Sequence, residues 1–324
     1  MIEIDGSFGE GGGQVIRTSL TLSAITKKPV RIFNIRANRP KPGLQMQHLT
    51  AARAVRSVCR GTLEGAELES SEIRFNPGEI VGGKYQFDIG TAGSVTLVAQ
   101  TIIPILLDAN KESEIRIIGG THVIKSPGYD YFEKVFLPAI SKFGAIVESE
   151  MVKPGYYPRG GGEIEVKIKP SKLAGCESWQ QSNEIFAMLR VSELPSSIAI
   201  REKKIFVQNE IEKVFIRQNP ALSPGNSVTT WKGYRGAYVL GEKGKRAEEV
   251  AKEALDILNS ENEDVDCHLA DQLLIYAVLS DGKTKYKTSR ITEHFSTNKE
   301  IILKFLDKKI DIDDKTITCQ SSPY

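Results

Sequence analysis

The sequence predicts an α/β fold of the α+β kind, in which a main domain of repeated sheet-and-helix units is interrupted by a smaller inserted α/β domain. Two observations predict it. A pattern of strand, glycine-rich loop and apolar helix recurs along the chain. Between about Cys176 and Asp266 the pattern stops, charged residues become denser, and the pattern then resumes. The expected division is residues 1–175 and 267–324 for the main domain and 176–266 for the insertion.

Residues 2–5 read as a strand, 6–13 as a glycine loop, and 14–26 as a helix carrying Val15, Ile16, Leu20 and Leu22. Residues 44–59 read as a further helix. The first order recurs in 85–89, the loop 90–94 and the apolar helix 95–107. Residues 129–143 then place Phe132, Val135, Phe136, Ala139, Ile140 and Phe143 at helical spacing. Within the insertion, charged amphipathic helices are expected near 210–217 and 246–258, with a hairpin of 228–231 and 237–241 turning around Gly233 and Gly236. The repeat returns with a strand at 285–287, a loop over 288–297 and a helical stripe of Ile301, Ile302, Phe305 and Leu306. Three or four copies of one unit are expected.

The 324 residues, 40% hydrophobic and 26% charged, suffice for a packed core. Apolar runs such as 102–107 fall well short of the roughly 20 residues that cross a bilayer, and Met1-Ile2-Glu3-Ile4-Asp5 lacks the order of a signal peptide. A cytoplasmic protein without membrane association is therefore expected, and no obligate protein partner is evident. Four cysteines without a Cys-x-x-Cys pair indicate neither a zinc site nor a dense disulfide framework. With 43 basic against 41 acidic residues, the net charge of +2 argues against coating long nucleic acid but allows a local basic pocket that grips one end.

Several stretches carry chemistry. The loop Gly6-Ser7-Phe8-Gly9-Glu10-Gly11-Gly12-Gly13-Gln14 lets backbone amides approach an anion at a helix start, where the dipole also favours negative charge. It is neither a P-loop nor a complete dinucleotide fingerprint, and a plain tight turn is the alternative. Glu10 among the glycines suits a divalent cation beside phosphates. The run from Arg36 through Arg39, Lys41 and Leu44 to Gln47 and His48 joins cations and prolines to a helix start; it is either a phosphate-binding loop or a solvated basic one. Gly119-Gly120-Thr121-His122 and Tyr157-Pro158-Arg159-Gly160-Gly161-Gly162 are two more glycine clusters that read equally well as turns. Asp271, near the start of the helix opened by His268-Leu269-Ala270-Asp271-Gln272, either caps it or meets a nucleotide or metal. His294 lies in a polar stretch just before the last helix, with Thr297 or Asn298 as possible caps. Imidazole is a capable nucleophile toward phosphorus near neutral pH, although a lone histidine is more often a surface or core residue.

Taken in order, these stretches resemble the RNA 3′-terminal phosphate cyclase family along essentially the whole chain. The matching pieces are 9–14 with Arg17, Arg36 and Arg39 with 41–44 and Gln47-His48, then 90–100, 119–121, Tyr157-Pro158 with 160–162, Pro224-Gly225-Asn226, 269–272, and His294 with Thr297-Asn298. The resemblance implies a main domain of three related units, each a sheet with helices on one side, interrupted by a smaller α/β domain. It also implies ATP as a substrate, a divalent ion (Mg or Mn), RNA bearing a 3′-terminal phosphate as partner, and a covalent histidine-AMP on His294. Gln100, Pro127, His268, Leu269, Ala270, Asp271 and Gln272 would line the ATP site, although the family often has tyrosine at the position of His268. Arg17, Arg36, Arg39, Lys41, Gln47 and His48 would hold the RNA end and phosphates, and Glu10 the metal.

Two other readings share parts of this pattern. A non-catalytic, RNA-binding relative that serves ribosome assembly has the fold without the histidine, and the presence of His294 disfavours it. An enolpyruvyl transferase is built from similar repeats, but the insertion and the His294 stretch favour the cyclase.

Overall fold

A parallel pair of strands bridged by a helix, followed by an antiparallel return, builds each of the first two units. The computed structural model describes residues 1–320, so the last four residues of the expected main domain, 321–324, lie outside the described residues. The first unit runs β1 (Ile2–Asp5), α1 (Gly13–Thr26), β2 (Val30–Phe33), α2 (Met46–Val58), β3 (Thr62–Glu64) and β4 (Ile73–Asn76). The second runs β5 (Lys84–Asp88), α3 (Val95–Leu107), β6 (Ser113–Gly119), a helical run, β7 (Ile146–Lys153) and β8 (Gly162–Lys169). That run, read as one helix over 129–143, consists of α4 (Tyr129–Tyr131), a π-helical segment (Phe132–Phe136) and α5 (Leu137–Ser141).

The two sheets share one topology, β1-β2-β4-β3 and β5-β6-β8-β7. In each, the first two strands are parallel and the rest antiparallel. Alternation explains how they pack. Ser113, Ile115, Ile117 and Gly119 of β6 are buried while Glu114 and Arg116 face outward, so one face of the sheet meets the helices and the other meets water.

A third unit is split in sequence. After β8 come β9 (Phe186–Ser192), α6 (Ser197–Gln208), β10 (Lys213–Gln218), β11 (Gly225–Lys232), β12 (Arg235–Leu240) and α7 (Ala247–Ser260). They are followed by α8 (Cys267–Leu279), β13 (Lys283–Lys287), α9 (Glu293–Phe305), β14 (Lys309–Asp313) and β15 (Thr316–Gln320). The sheet β13-β15-β14 reproduces the β2-β4-β3 portion of the first. The missing first strand is represented by Ala174, which bridges Asp281 in parallel, and by Gly175 and Cys176, which exchange backbone hydrogen bonds with Asp281 and Lys285. By sheet position α8 therefore corresponds to α1, and β13-α9 to β2-α2 rather than to the β1-α1 pattern it imitates in sequence.

The fourth sheet, β10-β9-β11-β12, has its own apolar cluster of Leu189, Val191, Phe206, Val228, Val250 and Leu255 under α6 and α7. The hairpin β11-β12 lies where it was expected. The helix expected near 210–217 does not form: β10 pairs in parallel with β9 there, and the helix is the preceding α6. Ile211, Val214 and Phe215 imitate helical spacing, but the edge of the sheet captures the alternation of Val214 and Ile216 instead.

At the centre of the other three sheets, α1, α2, α3, α8 and α9 bury one continuous core that includes Val15, Leu20, Val55, Ile102, Leu273, Phe295 and Ile302. Small residues allow α1 to approach its neighbours closely; the Thr21 hydroxyl donates to the Thr101 carbonyl of α3 at 2.8 Å. None of the described helices is long and apolar enough to cross a membrane.

Candidate functional site

Five of these helices bring polar residues to one place. The glycine loop turns into α1 with Gly9 and Gly11 at φ of +59° and +55°, a conformation that side chains with a Cβ rarely adopt. Gly9 is also packed against α9, since an added Cβ would lie 2.2 Å from the Thr297 hydroxyl oxygen. That hydroxyl accepts from the Glu10 amide at 3.1 Å. One residue on, Asn298 accepts from the Thr18 hydroxyl at 2.6 Å and donates to the Asp271 carbonyl at 3.1 Å. Thr297 and Asn298 thus fasten α9 to the glycine loop, α1 and α8.

The structure corrects the place of His294. It lies in the first turn of α9 rather than in a loop before it, because the helix starts at Glu293. The cap is Thr292, whose hydroxyl oxygen accepts from the Phe295 amide at 3.0 Å; neither Thr297 nor Asn298 caps it. The same Thr292 hydroxyl donates to Asp271 Oδ1 at 2.8 Å. Burial pushes the Asp271 carboxyl up to about 8. Asp271 lies within α8, and the cap of that helix is Asp266, which accepts from the His268 and Leu269 amides at 3.0 and 2.8 Å. Sequence reading missed Thr292. The signal was present: a threonine directly before Glu293 and ahead of an apolar stripe is a helix-start pattern.

His294 Nδ1 stands 3.8 Å from Glu10 Oε1, outside hydrogen-bond range. Burial lowers the pKa of His294, with the Glu10 carboxylate opposing and Arg17, His268 and Arg39 adding to the shift. The imidazole is therefore largely neutral at pH 7. The Glu10 side chain is only 6% exposed; Oε2 and the backbone carbonyl pair with Arg39, while Oε1 has no hydrogen-bond partner.

Beside this pair, at the start of α1, the side chains of His48 and Arg17 close against the backbone of Gly13. A Cβ at Gly13 would fall 2.4 Å from His48 Nε2 and 2.9 Å from a guanidinium nitrogen of Arg17. The Gln45 amide donates to His48 Nδ1 at 3.2 Å. Burial, reinforced by the charges of Arg17 and Arg36, pushes His48 down to about 3. His48 is thus neutral, with its proton on Nε2 toward Gly13. Burial also draws Arg17 down to about 10, still a full cation at neutral pH. A positive helix start, an imidazole N–H and a guanidinium converge there, a set of donors suited to an anion.

The other residues expected here divide into two groups. Gln100 donates to Gln272 at 2.5 Å, and Gln272 to the His268 carbonyl at 2.9 Å, linking α3 to α8. The Pro127 carbonyl accepts from Thr96 at 2.7 Å, one turn of α3 before Gln100, and the proline is half-buried. Leu269 and Ala270 instead turn into the core, at 0% and 1% exposure, because helical periodicity places them opposite His268, Asp271 and Gln272. Neither presents a side chain to the site. Arg36 donates to the carbonyls of Lys41 and Gly43 at 2.5 and 2.9 Å and so braces its own loop. Gln47 accepts from the Ser94 amide at 2.7 Å, joining the first unit to the second. Lys41 is exposed and has no ion pair among the described residues.

Comparison with known proteins supplies the family. A family model described as RNA 3′-terminal phosphate cyclase matches residues 8–312. A curated protein of that name from Archaeoglobus fulgidus is 42% identical over 98% of this chain and 99% of its own length. One from Sulfurisphaera tokodaii is 47% identical over 96% of each. Among solved structures, the enolpyruvyl transferase NikO from Streptomyces tendae aligns with 98% of this chain and 47% of its own, at 9% identity and a TM-score of 0.42, too distant to argue from. The ordered motifs, the twofold repeat of sheet topology and these full-length relatives agree: the chain belongs to the RNA 3′-terminal phosphate cyclase family.

Proposed function

We propose that this protein uses ATP to convert the 3′-terminal phosphate of RNA into a 2′,3′-cyclic phosphate, through a covalent His294-AMP. The observation that carries this reading is a neutral imidazole at the start of α9, facing a buried, half-partnered carboxylate near the His48 and Arg17 donors gathered at Gly13. With Nδ1 nearest Glu10, a proton held there leaves the lone pair of Nε2 free for attack.

Three displacements at phosphorus follow. His294 Nε2 attacks the α-phosphorus of ATP; a P–N bond forms, and the α-phosphorus–oxygen bond breaks as pyrophosphate leaves with the electron pair. An oxygen of the RNA 3′-phosphate then attacks the phosphorus of His294-AMP, forming a phosphoanhydride and returning the neutral imidazole. Finally the 2′-hydroxyl oxygen attacks the 3′-phosphorus, its proton goes to solvent, and AMP leaves with the electrons of the anhydride bond. The charge on the phosphates is the principal obstacle, and Arg17, His48 and the start of α1 are placed to offset it. Gln100, Gln272 and His268 would meet the nucleoside, with Pro127 flanking it. Asp271 acts through Thr292 to seat the helix that bears the nucleophile.

The orphaned Glu10 Oε1 fits a hard divalent cation such as Mg or Mn. Among the described residues no group of three His, Cys, Asp or Glu side chains gathers, so phosphate oxygens and water would complete the coordination. When bound, such an ion neutralises phosphate charge. The four cysteines are free and buried, which suits a reducing, cytoplasmic setting.

The test is incubation of the full chain with α-labelled ATP and a divalent metal, with no RNA. Acid-labile, base-stable label is expected on the protein and none on H294A; label retained by H294A, or absent from the unmutated protein, defeats the assignment. RNA ending in a 3′-phosphate should then be cyclised, and RNA ending in a 3′-hydroxyl should not.

A further inference from the structure

The glycine cluster from Tyr157 to Gly162 has no part in the site described above. Its position is informative. The loops after β5 and β6 and the loop before β8 leave the second sheet at one end, where Asp88 pairs with Ile118 and Gly119 with Gly162. At the same end of the first sheet, the loops after β1 and β2 carry Glu10 and Arg36. Because the two sheets have the same strand order, the second unit presents a loop end equivalent to the one that bears the candidate site.

The two ends adjoin. The Ser94 amide bonds Gln47, and a Cβ at Gly93 would lie 3.0 Å from the Cβ of Gln47. Across that same loop lies Gly160, where an added Cβ would sit 2.8 Å from the Thr91 carbonyl oxygen. The chain before it forms a tight tip, with the Gly160 amide donating to the Tyr156 carbonyl at 2.8 Å and the Arg159 amide to the Ser223 hydroxyl at 3.2 Å. The tip is therefore fastened to the second unit and to the segment leading into β11. Yet the Tyr157 side chain is 78% exposed. Arg159 is exposed and has no ion pair among the described residues. Lys125, in the neighbouring loop after β6, is likewise exposed and free of ion pairs among the described residues.

An exposed aromatic ring on an anchored tip, at a loop end that also carries two cations without ion pairs among the described residues, suits single-stranded nucleic acid, since every base has a π-face and every linkage a negative charge. Fixing the tip in advance lowers the ordering cost of binding. We infer that the loop end of the second unit carries the RNA strand on the 5′ side of its terminal phosphate, with a base stacked on Tyr157 and backbone phosphates held by Arg159 and Lys125. The inference rests on the reading above that the 3′ end itself lies in the first unit.

The experiment compares a 3′-phosphorylated RNA of about ten nucleotides with a 3′-phosphorylated dinucleotide, on the full chain, by fluorescence-anisotropy titration and by KM and kcat; the stacking and charge effects set the expected scale. The longer RNA should bind more tightly to the unmutated protein. Y157A should weaken that binding by roughly tenfold, by raising KM rather than lowering kcat, with little change for the dinucleotide. Y157F should retain the preference, which a merely structural defect would not allow. R159A should lower the salt dependence of binding by about one phosphate contact. Unchanged affinity of Y157A for the longer RNA overturns the inference, as does equal binding of the two RNAs by the unmutated protein; either result would point to another kind of partner for this surface. Self-adenylylation separates the two readings. If the unmutated protein takes no label from ATP, the proposed chemistry fails, while the titration still decides the RNA path.

Discussion

Two buried carboxylates in this protein have opposite surroundings. Asp130, at α4, is fully enclosed and fully partnered. Its Oδ2 accepts from His122 Nε2 at 3.0 Å and Arg190 Nε at 2.6 Å, and its Oδ1 from the other arm of Arg190 at 2.8 Å. Burial alone would raise its pKa, but the bonds from His122 and Arg190 hold the carboxyl below the usual carboxylate range. Glu10 is nearly as enclosed, yet one oxygen has no partner and looks across 3.8 Å to a histidine. The first arrangement joins the second unit to the fourth sheet through β9 and is complete. A buried charge whose protein partners satisfy it holds structure together, whereas a buried polar atom left without one calls for a separate account.

Three substitutions test this contrast. The largest effect is expected for R190M, which strands Asp130 beside a neutral His122. Unfolding in urea should show a loss of about 3–5 kcal/mol, and a stability equal to that of the unmutated protein would break the comparison. Next, E10Q removes the charge of the incomplete site while keeping its shape. Formation of the His294 adduct should slow by about a hundredfold, with the melting temperature unchanged within about 2 °C. A large fall in stability would show that Glu10 is structural after all. The smallest effect is expected for Glu202 of α6, a third buried carboxylate. Neither oxygen has a hydrogen-bond partner, and burial pushes it up to about 8 despite nearby Asn226 and Arg201. Its folded value exceeds its unfolded one, so its contribution is fully present below about pH 4.5 and is lost as pH rises toward 8. E202Q should therefore flatten the pH dependence, its stability relative to the unmutated protein rising from pH 5 to pH 8 in parallel melts.

The legible parts of this fold were those with strong local physics. The glycine loop before α1 and the apolar helices α1 and α3 announce themselves by φ requirements and by burial. Weaker elements did not. β14 and β15 are short, with Ile310 buried between exposed Lys309 and Asp311 and Ile317 between half-buried threonines, and pairing within the sheet β13-β15-β14 supplies what their own residues lack. In the site, Glu10, Arg17, His48 and His294 are brought together as their residue types suggested. Leu269 and Ala270 were drawn in by adjacency in sequence, which a helix undoes at every step. Arg36 and Arg39 had the charge for phosphate, but the loop carbonyls and Glu10 engage them first. Sequence displays the donors; only geometry shows which remain free.

The locks between α9 and the glycine loop have a consequence in time as well as in space. Glu10 to Thr297 and Thr18 to Asn298 join residues separated by 287 and 280 positions, so the glycine loop is made early in synthesis and the seat of His294 very late. Contacts this distant in sequence form last, after the intervening sheets have closed the gap. A chain still emerging from the ribosome carries the glycine loop without the imidazole that faces Glu10.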